Sequence, residues 1–146
     1  TAYLMTSLMQ TVMDRGTGGS ARWKYKFNRP AAGKTGTTQG WSDAWFVGFT
    51  PQIAAGCWFG VDDFRVPLGP GQDGSIAALP AWARFMKGAH DTLDFPIQKF
   101  EKPSGIHDIE ICSVTKKAPV PACPVEKEIF KVGTEPIQKC KVHRTQ

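Results

Sequence analysis

Residues 44–61 form a run of 18 without a single charged side chain, and no other feature limits the fold as tightly. The run just reaches the length of a membrane span. Thr50-Pro51-Gln52 interrupts its middle, however, and Gly48, Gly56 and Gly60 are spread along it. Polar residues beside a proline mark a turn, so the run reads as two strands, 44–49 and 53–61, with a tight connection. The first is apolar at nearly every position, which predicts burial on both faces. Small residues at 31–38 make a third strand, joined to the others by a turn at 39–43. Short connections imply an antiparallel meander, with helices expected on both of its faces.

Helical spacing flanks this sheet. Leu4, Leu8 and Val12 form one row, and Met5, Met9 and Met13 the next, predicting a helix over 3–13 with a broad apolar stripe. Gly16 is available for a left-handed cap. Ile76, Leu79, Ala83 and Met86 predict a second helix over 76–86, which starts near Pro80 or is kinked there. Between them, Trp23, Tyr25 and Phe27 alternate with Lys24 and Lys26. Such a pattern would suit a stacking surface for nucleic acid, but a half-exposed strand or extended loop explains it more simply. From about residue 97 the chain turns to Lys, Pro and β-branched residues, which divides it into 1–96 and a small tail, 97–146. The fold class expected is α+β, a partial antiparallel sheet flanked by helices.

The 146 residues are enough for one real core. The net charge of +5 is scattered rather than gathered into a run that would follow a phosphate backbone. No nucleic acid partner is expected. A start at Thr1, with neither a basic nor an apolar leader, reads as a piece excised from a longer chain. Cys57 falls in a strand and reads as an inert core thiol. Cys112, Cys123 and Cys140 fall in the tail, where a small core gains from a staple. One disulfide is preferred, Cys123 with Cys140, with Cys112 as the rival partner. A zinc site from these three and His143 is the alternative. Against it, the spacing lacks the paired C-x2-C knuckle of most structural zinc sites. No metal and no cofactor are therefore expected.

Ala32-Gly33-Lys34-Thr35-Gly36-Thr37-Thr38 carries the chemistry. Gly33-Lys34-Thr35 matches the end of a phosphate loop, but the first glycine of that pattern falls on Asn28 and no strand–loop–helix context surrounds it. The K-T-G element of penicillin-recognising serine enzymes fits better. Lys34 offers positive charge to a substrate carboxylate. Thr35 and Thr37, two apart on a strand, present hydroxyls on one face. Gly36 lets another backbone approach, so a peptide could add as a further strand. The Thr37 N–H is a candidate oxyanion donor.

Residues 29–38, followed by Asp43-Ala44-Trp45-Phe46-Val47-Gly48-Phe49-Thr50-Pro51, closely resemble class A (bifunctional) penicillin-binding proteins. Gly16-Thr17-Gly18, Ala77-Ala78-Leu79-Pro80-Ala81-Trp82 and Gly133-Thr134-Glu135-Pro136 resemble further parts of the same family. The resemblance implies the C-terminal part of a transpeptidase domain plus its tail. Lys34 and Thr37 would then be catalytic, and Thr35, Gly36, Thr37 and Thr38 would bind substrate. It further implies a parent that cross-links peptidoglycan stem peptides and binds β-lactams outside the cytoplasm. That parent would be anchored by an upstream transmembrane helix and carry an upstream glycosyltransferase. A carboxypeptidase or β-lactamase on the same fold, or a non-catalytic cell-wall binding module, are the alternatives. The family's S-x-N is absent, since Asn28 is the sole asparagine and follows Lys26 by two. The one S-x-x-K string, Ser113 to Lys116, lies downstream in the tail and reads as coincidence. The nucleophilic serine is expected upstream, so this chain alone should be inactive. Its cut sheet edges should favour self-association. His90, His107 and His143 have no role in that scheme and read as surface or loop residues.

Overall fold

The computed structural model describes residues 1–143. The chain forms two compact units, Thr1–Phe100 and Glu101–Gln146. The first holds helix α1 (Ala2–Arg15), a short helix α2 (Ser20–Trp23), strands β1 (Ala32–Thr37), β2 (Asp43–Phe49) and β3 (Ala54–Gly60), and helix α3 (Leu79–Thr92). The three strands form an antiparallel sheet in the order β1-β2-β3, so β1 lies at an edge. The second unit is built on one antiparallel pair, β4 (Ile106–Cys112) and β5 (Val125–Lys131). This is an α+β architecture. No helix among the described residues is long and apolar enough to cross a membrane.

The core of the first unit lies on one face of the sheet. Phe46 and Ala44 of β2 are buried, together with Met13, Phe27, Leu79, Trp82, Ala83 and Met86. Trp82 of α3 stands on the sheet where β2 carries Gly48. Its indole N–H donates to the Gly48 and Ala55 carbonyls at 3.3 and 3.1 Å. A Cβ at Gly48 would lie 2.6 Å from the indole, so only glycine leaves room for this seat. Phe27 meets Trp82 edge-on at 5.4 Å, and Phe46 packs at 4.9 Å.

Pro80 sits in the first turn of α3, where its missing N–H costs nothing. A π-helical turn, Gly74–Ala78, precedes it. The helix then continues past the expected end at Met86, because His90 extends the buried Trp82–Met86 row. His90 is fully buried rather than at the surface. Its Nε2 lies 3.0 Å from the Thr50 hydroxyl and its Nδ1 lies 2.8 Å from the Met86 carbonyl. Thr50 Oγ1 also accepts from the Gln52 and Ile53 N–H groups. The β2–β3 turn is thereby tied to α3.

The structure departs from the sequence expectations at four points. β2 is buried on alternate positions, not throughout, and Trp45, Val47 and Trp58 stand 44–51% exposed on the second face. Among the described residues, elements of the first unit cover one face of the sheet. The α1 stripe is likewise buried only at Met13, while Met5 and Leu8 are exposed. Residues 22–29 are not a strand, the first of the two readings given for them: the end of α2 and a turn lead into an irregular stretch over 26–29. Arg22 organises it by donating to the Phe27 carbonyl at 2.8 Å, to the Arg29 carbonyl, and to Asp14 at 2.9 Å. Gly16 ends α1 in extended backbone, φ −113°, rather than a left-handed cap.

Two substitutions test the Trp82 seat. Trp82→Ala should destabilise the first unit by about 3–5 kcal/mol. Gly48→Ala, adding one methyl, should cost about 1–3 kcal/mol by overpacking. Urea denaturation followed by near-ultraviolet circular dichroism measures both.

Candidate functional site on the outer edge of the first strand

Backbone parity determines what β1 offers. The Thr38 N–H donates to the Asp43 carbonyl at 3.1 Å. In an antiparallel ladder the bonded pairs alternate. Gly36 and Lys34, opposite Trp45 and Val47, therefore turn their backbone groups inward to β2. Thr35 and Thr37, opposite Phe46 and Ala44, turn theirs outward along the free edge.

The side chains follow the complementary alternation. Lys34 projects to the face of Val47, opposite to the threonines, yet its ammonium reaches back to the edge and donates to the Thr35 carbonyl at 2.8 Å. The Thr35 hydroxyl lies 3.1 Å from that of Thr17, which follows α1. One of the two donates to the other, so the pair keeps one proton free. The Thr37 hydroxyl accepts from the Gly74 N–H at 3.1 Å, which leaves its own proton free to donate. Lys34, Thr35, Gly36 and Thr37 are thus assembled at one edge. Thr38 is not among them. Its hydroxyl accepts from the Asp43 N–H at 2.8 Å and pairs with Ser42 at 2.8 Å, fixing the hairpin turn.

Two contributors escaped the sequence reading. Thr17 stood only within the Gly16-Thr17-Gly18 resemblance, with no role attached to its hydroxyl. Asp73 had only its place before the small run Gly74-Ser75. Asp73 caps the turn that delivers Gly74, accepting from the Ser75 and Ile76 N–H groups at 2.7 and 3.1 Å. Gly74 lies so close to the Gly36–Trp45 ladder that a Cβ there would sit 2.2 Å from the Trp45 carbonyl oxygen. The Ser75 hydroxyl, donating at 2.6 Å, is the main cause holding the Asp73 carboxyl below its ordinary range.

Other candidates fall elsewhere. A cavity of about 510 Å³ in the first unit is lined by Tyr3, Asp14, Arg22, Arg29 and Lys99 among others, and no residue of β1. Ser113 donates to the Pro124 carbonyl at 3.2 Å, and Lys116 is paired with Glu126. Both lie on a turn, and neither is presented as a nucleophile or its base. Cys57 is half-buried, and burial pushes its thiol up. No bond joins any of the four cysteines in this structure. Instead Cys112, Cys123, Cys140 and His143 draw together, with ligand atoms all within 4.8 Å of one another. The Cys140 thiol is pulled down to about 5, chiefly by the Thr115 hydroxyl and then by the His143 N–H.

The Asp73 cap gives a pH-dependent test. Its depressed folded-state pKa adds stability that is present above the unfolded value of about 3.9 and is lost as pH falls through the folded value. Asp73→Ala should cost about 0.5–2 kcal/mol at neutral pH. In urea titrations below pH 4, the native chain should lose stability that Asp73→Ala does not lose further.

Residues 102–145 match the family described as penicillin-binding protein 1A, C-terminal domain. Penicillin-binding protein 1A of Clostridium tetani is 35% identical over 97% of this chain, and that of Pseudomonas aeruginosa is 38% identical over 90%. The chain spans only 18% and 16% of those two relatives. The crystal structure of penicillin-binding protein 1A from Haemophilus influenzae superposes with a TM-score of 0.84 at 31% identity. It covers 95% of this chain, which in turn spans 21% of that one. By sequence and by fold, the chain belongs to the penicillin-binding protein 1A family.

Proposed function

We propose that β1 is one wall of the substrate site of a serine DD-transpeptidase, whose parent protein cross-links peptidoglycan stem peptides and is acylated by β-lactams. The observation that carries this reading is the free edge of β1, where outward backbone groups, two hydroxyl protons and one ammonium converge on a width of three residues.

In this reading the stem peptide lies along the edge as an added strand, bonded through the Thr35 and Thr37 backbone. Its terminal carboxylate accepts from the Thr17–Thr35 pair and from the Thr37 hydroxyl, with the Lys34 ammonium supplying charge. The Thr37 N–H is one donor to the oxyanion that forms when an upstream serine oxygen attacks the D-Ala-D-Ala carbonyl carbon. The C–N bond then breaks, and the terminal D-Ala leaves with a proton on its amine. The amine of a neighbouring stem attacks the resulting ester, releases the serine and completes the cross-link. A β-lactam enters by the same attack, its ring amide standing in for the scissile bond.

The serine and its lysine belong to the upstream part of the parent. The same part covers the exposed Trp45, Val47 and Trp58 face, which supports reading the sheet as incomplete. Without that cover, the isolated chain would tend to self-associate through the bare face and edge. The parent acts on the outer side of the cytoplasmic membrane, where its substrate lies, and is held there by an upstream anchor.

In the full parent, Thr35→Val or Lys34→Met should slow acylation by a fluorescent penicillin roughly 10–100-fold, the loss of one charge-assisted hydrogen bond. The fold should remain intact by circular dichroism. The 146-residue chain alone should show no covalent label by intact mass. Labelling of that chain would return the nucleophile to its own residues and overturn the reading.

A further inference from the structure

We propose that Cys112, Cys123, Cys140 and His143 bind one zinc ion that serves as the structural centre of the unit Glu101–Gln146. This inference is independent of the transpeptidase reading, because the four residues lie in the other unit.

Three separate segments bring the ligands together. Cys112 is the last residue of β4, Cys123 lies in the turn two residues before β5, and Cys140 and His143 follow β5. The segments are fixed by backbone bonds: Cys112 N–H to the Lys117 carbonyl, Cys123 N–H to Val120, and Cys140 N–H to Ala118. The convergence is therefore built by the chain and does not depend on loose side chains.

The distances select a metal over hydrogen bonds. The sulfurs of Cys112, Cys123 and Cys140 lie 3.5, 3.5 and 3.3 Å from one atom, Nδ1 of His143. A ring nitrogen donates one proton or accepts one, so it cannot satisfy three thiols. A tetrahedral ion with bonds of about 2.3 Å to sulfur and about 2.0–2.1 Å to nitrogen requires sulfur–nitrogen separations of about 3.5–3.6 Å. Backbone N–H groups also point at the sulfurs, from Thr115 to Cys112 at 3.5 Å and from Val120 to Cys123 at 3.3 Å. Such donors favour the thiolate that a metal needs. Three thiolates and one imidazole in a closed tetrahedron are the ligand set of structural zinc.

The unit has little else to hold it. Among its described residues, the buried apolar side chains are Ile111, Cys112 and Cys140, so two of the three are ligands. A unit this small needs a metal or disulfides where an apolar core would otherwise suffice. The expected C-x2-C knuckles are replaced by Cys140-x-x-His143 and by two ligands from the ends of a hairpin.

The 146-residue chain, purified without chelator and without a histidine tag, provides the test. Native mass spectrometry and elemental analysis should find one zinc per chain, and alkylation of the unfolded, chelated chain without reductant should find every cysteine as a thiol. Cys140→Ser and His143→Ala should lose the zinc, whereas Cys57→Ser should keep it. Should either ligand variant fail to fold, cobalt added to the metal-stripped native chain should give the intense thiolate-to-cobalt absorption of a tetrahedral site. A chain without zinc that also gives no such absorption, or an intact mass lighter by two hydrogens with Cys123 and Cys140 joined, would overturn the proposal.

Discussion

The seating of Trp82 against Gly48 is the contact on which the first unit depends. One indole fills the notch that a missing Cβ leaves in β2, and it bridges carbonyls of β2 and β3. The same helix carries His90, eight residues on, to the Thr50 hydroxyl in the turn of the hairpin. Helix and sheet are therefore joined at two points along one row. With β2 held this way, β1 is positioned by its ladder together with the Thr17–Thr35 and Gly74–Thr37 contacts, and the outward backbone groups of Thr35 and Thr37 are not paired to β2. A rigid wall with an open side is what a peptide-binding edge requires.

Much of this was legible in the residues. The interrupted apolar run gave the hairpin, and the small residues of 31–38 gave the edge strand, because charge and turn chemistry act locally. What escaped reading depended on distant partners. The continuous apolarity of β2 pointed to two covered faces, yet Trp45 and Val47 face outward here. They form a bare apolar face in a chain that spans about a fifth or less of the length of its relatives. His90 was unreadable because a buried imidazole and a surface one look alike until Thr50 and the Met86 carbonyl are known. Thr17 was hidden for the same reason, its role set by an Oγ–Oγ contact 18 residues away in sequence.

The two units solve the problem of small size differently. The first gathers aromatic and aliphatic side chains around Trp82. Among its described residues, the second buries little beyond Ile111 and a group of sulfurs. Spacing along the chain argued against a metal there, since knuckles are recognised by short C-x2-C separations. Spatial convergence carries a different message, because three hairpin-linked segments bring their ligands to one nitrogen regardless of sequence distance.

The central claim is that the outer edge of β1 is an unpaired ladder ready to receive a peptide. Residue-resolved amide hydrogen exchange on the 146-residue chain, kept dilute enough to be monomeric, tests it most directly. Lys34 and Gly36, bonded inward to β2, should be strongly protected, while Thr35 and Thr37 between them should exchange fast. Uniform protection across all four residues would mean that the edge is already occupied, and would contradict the account.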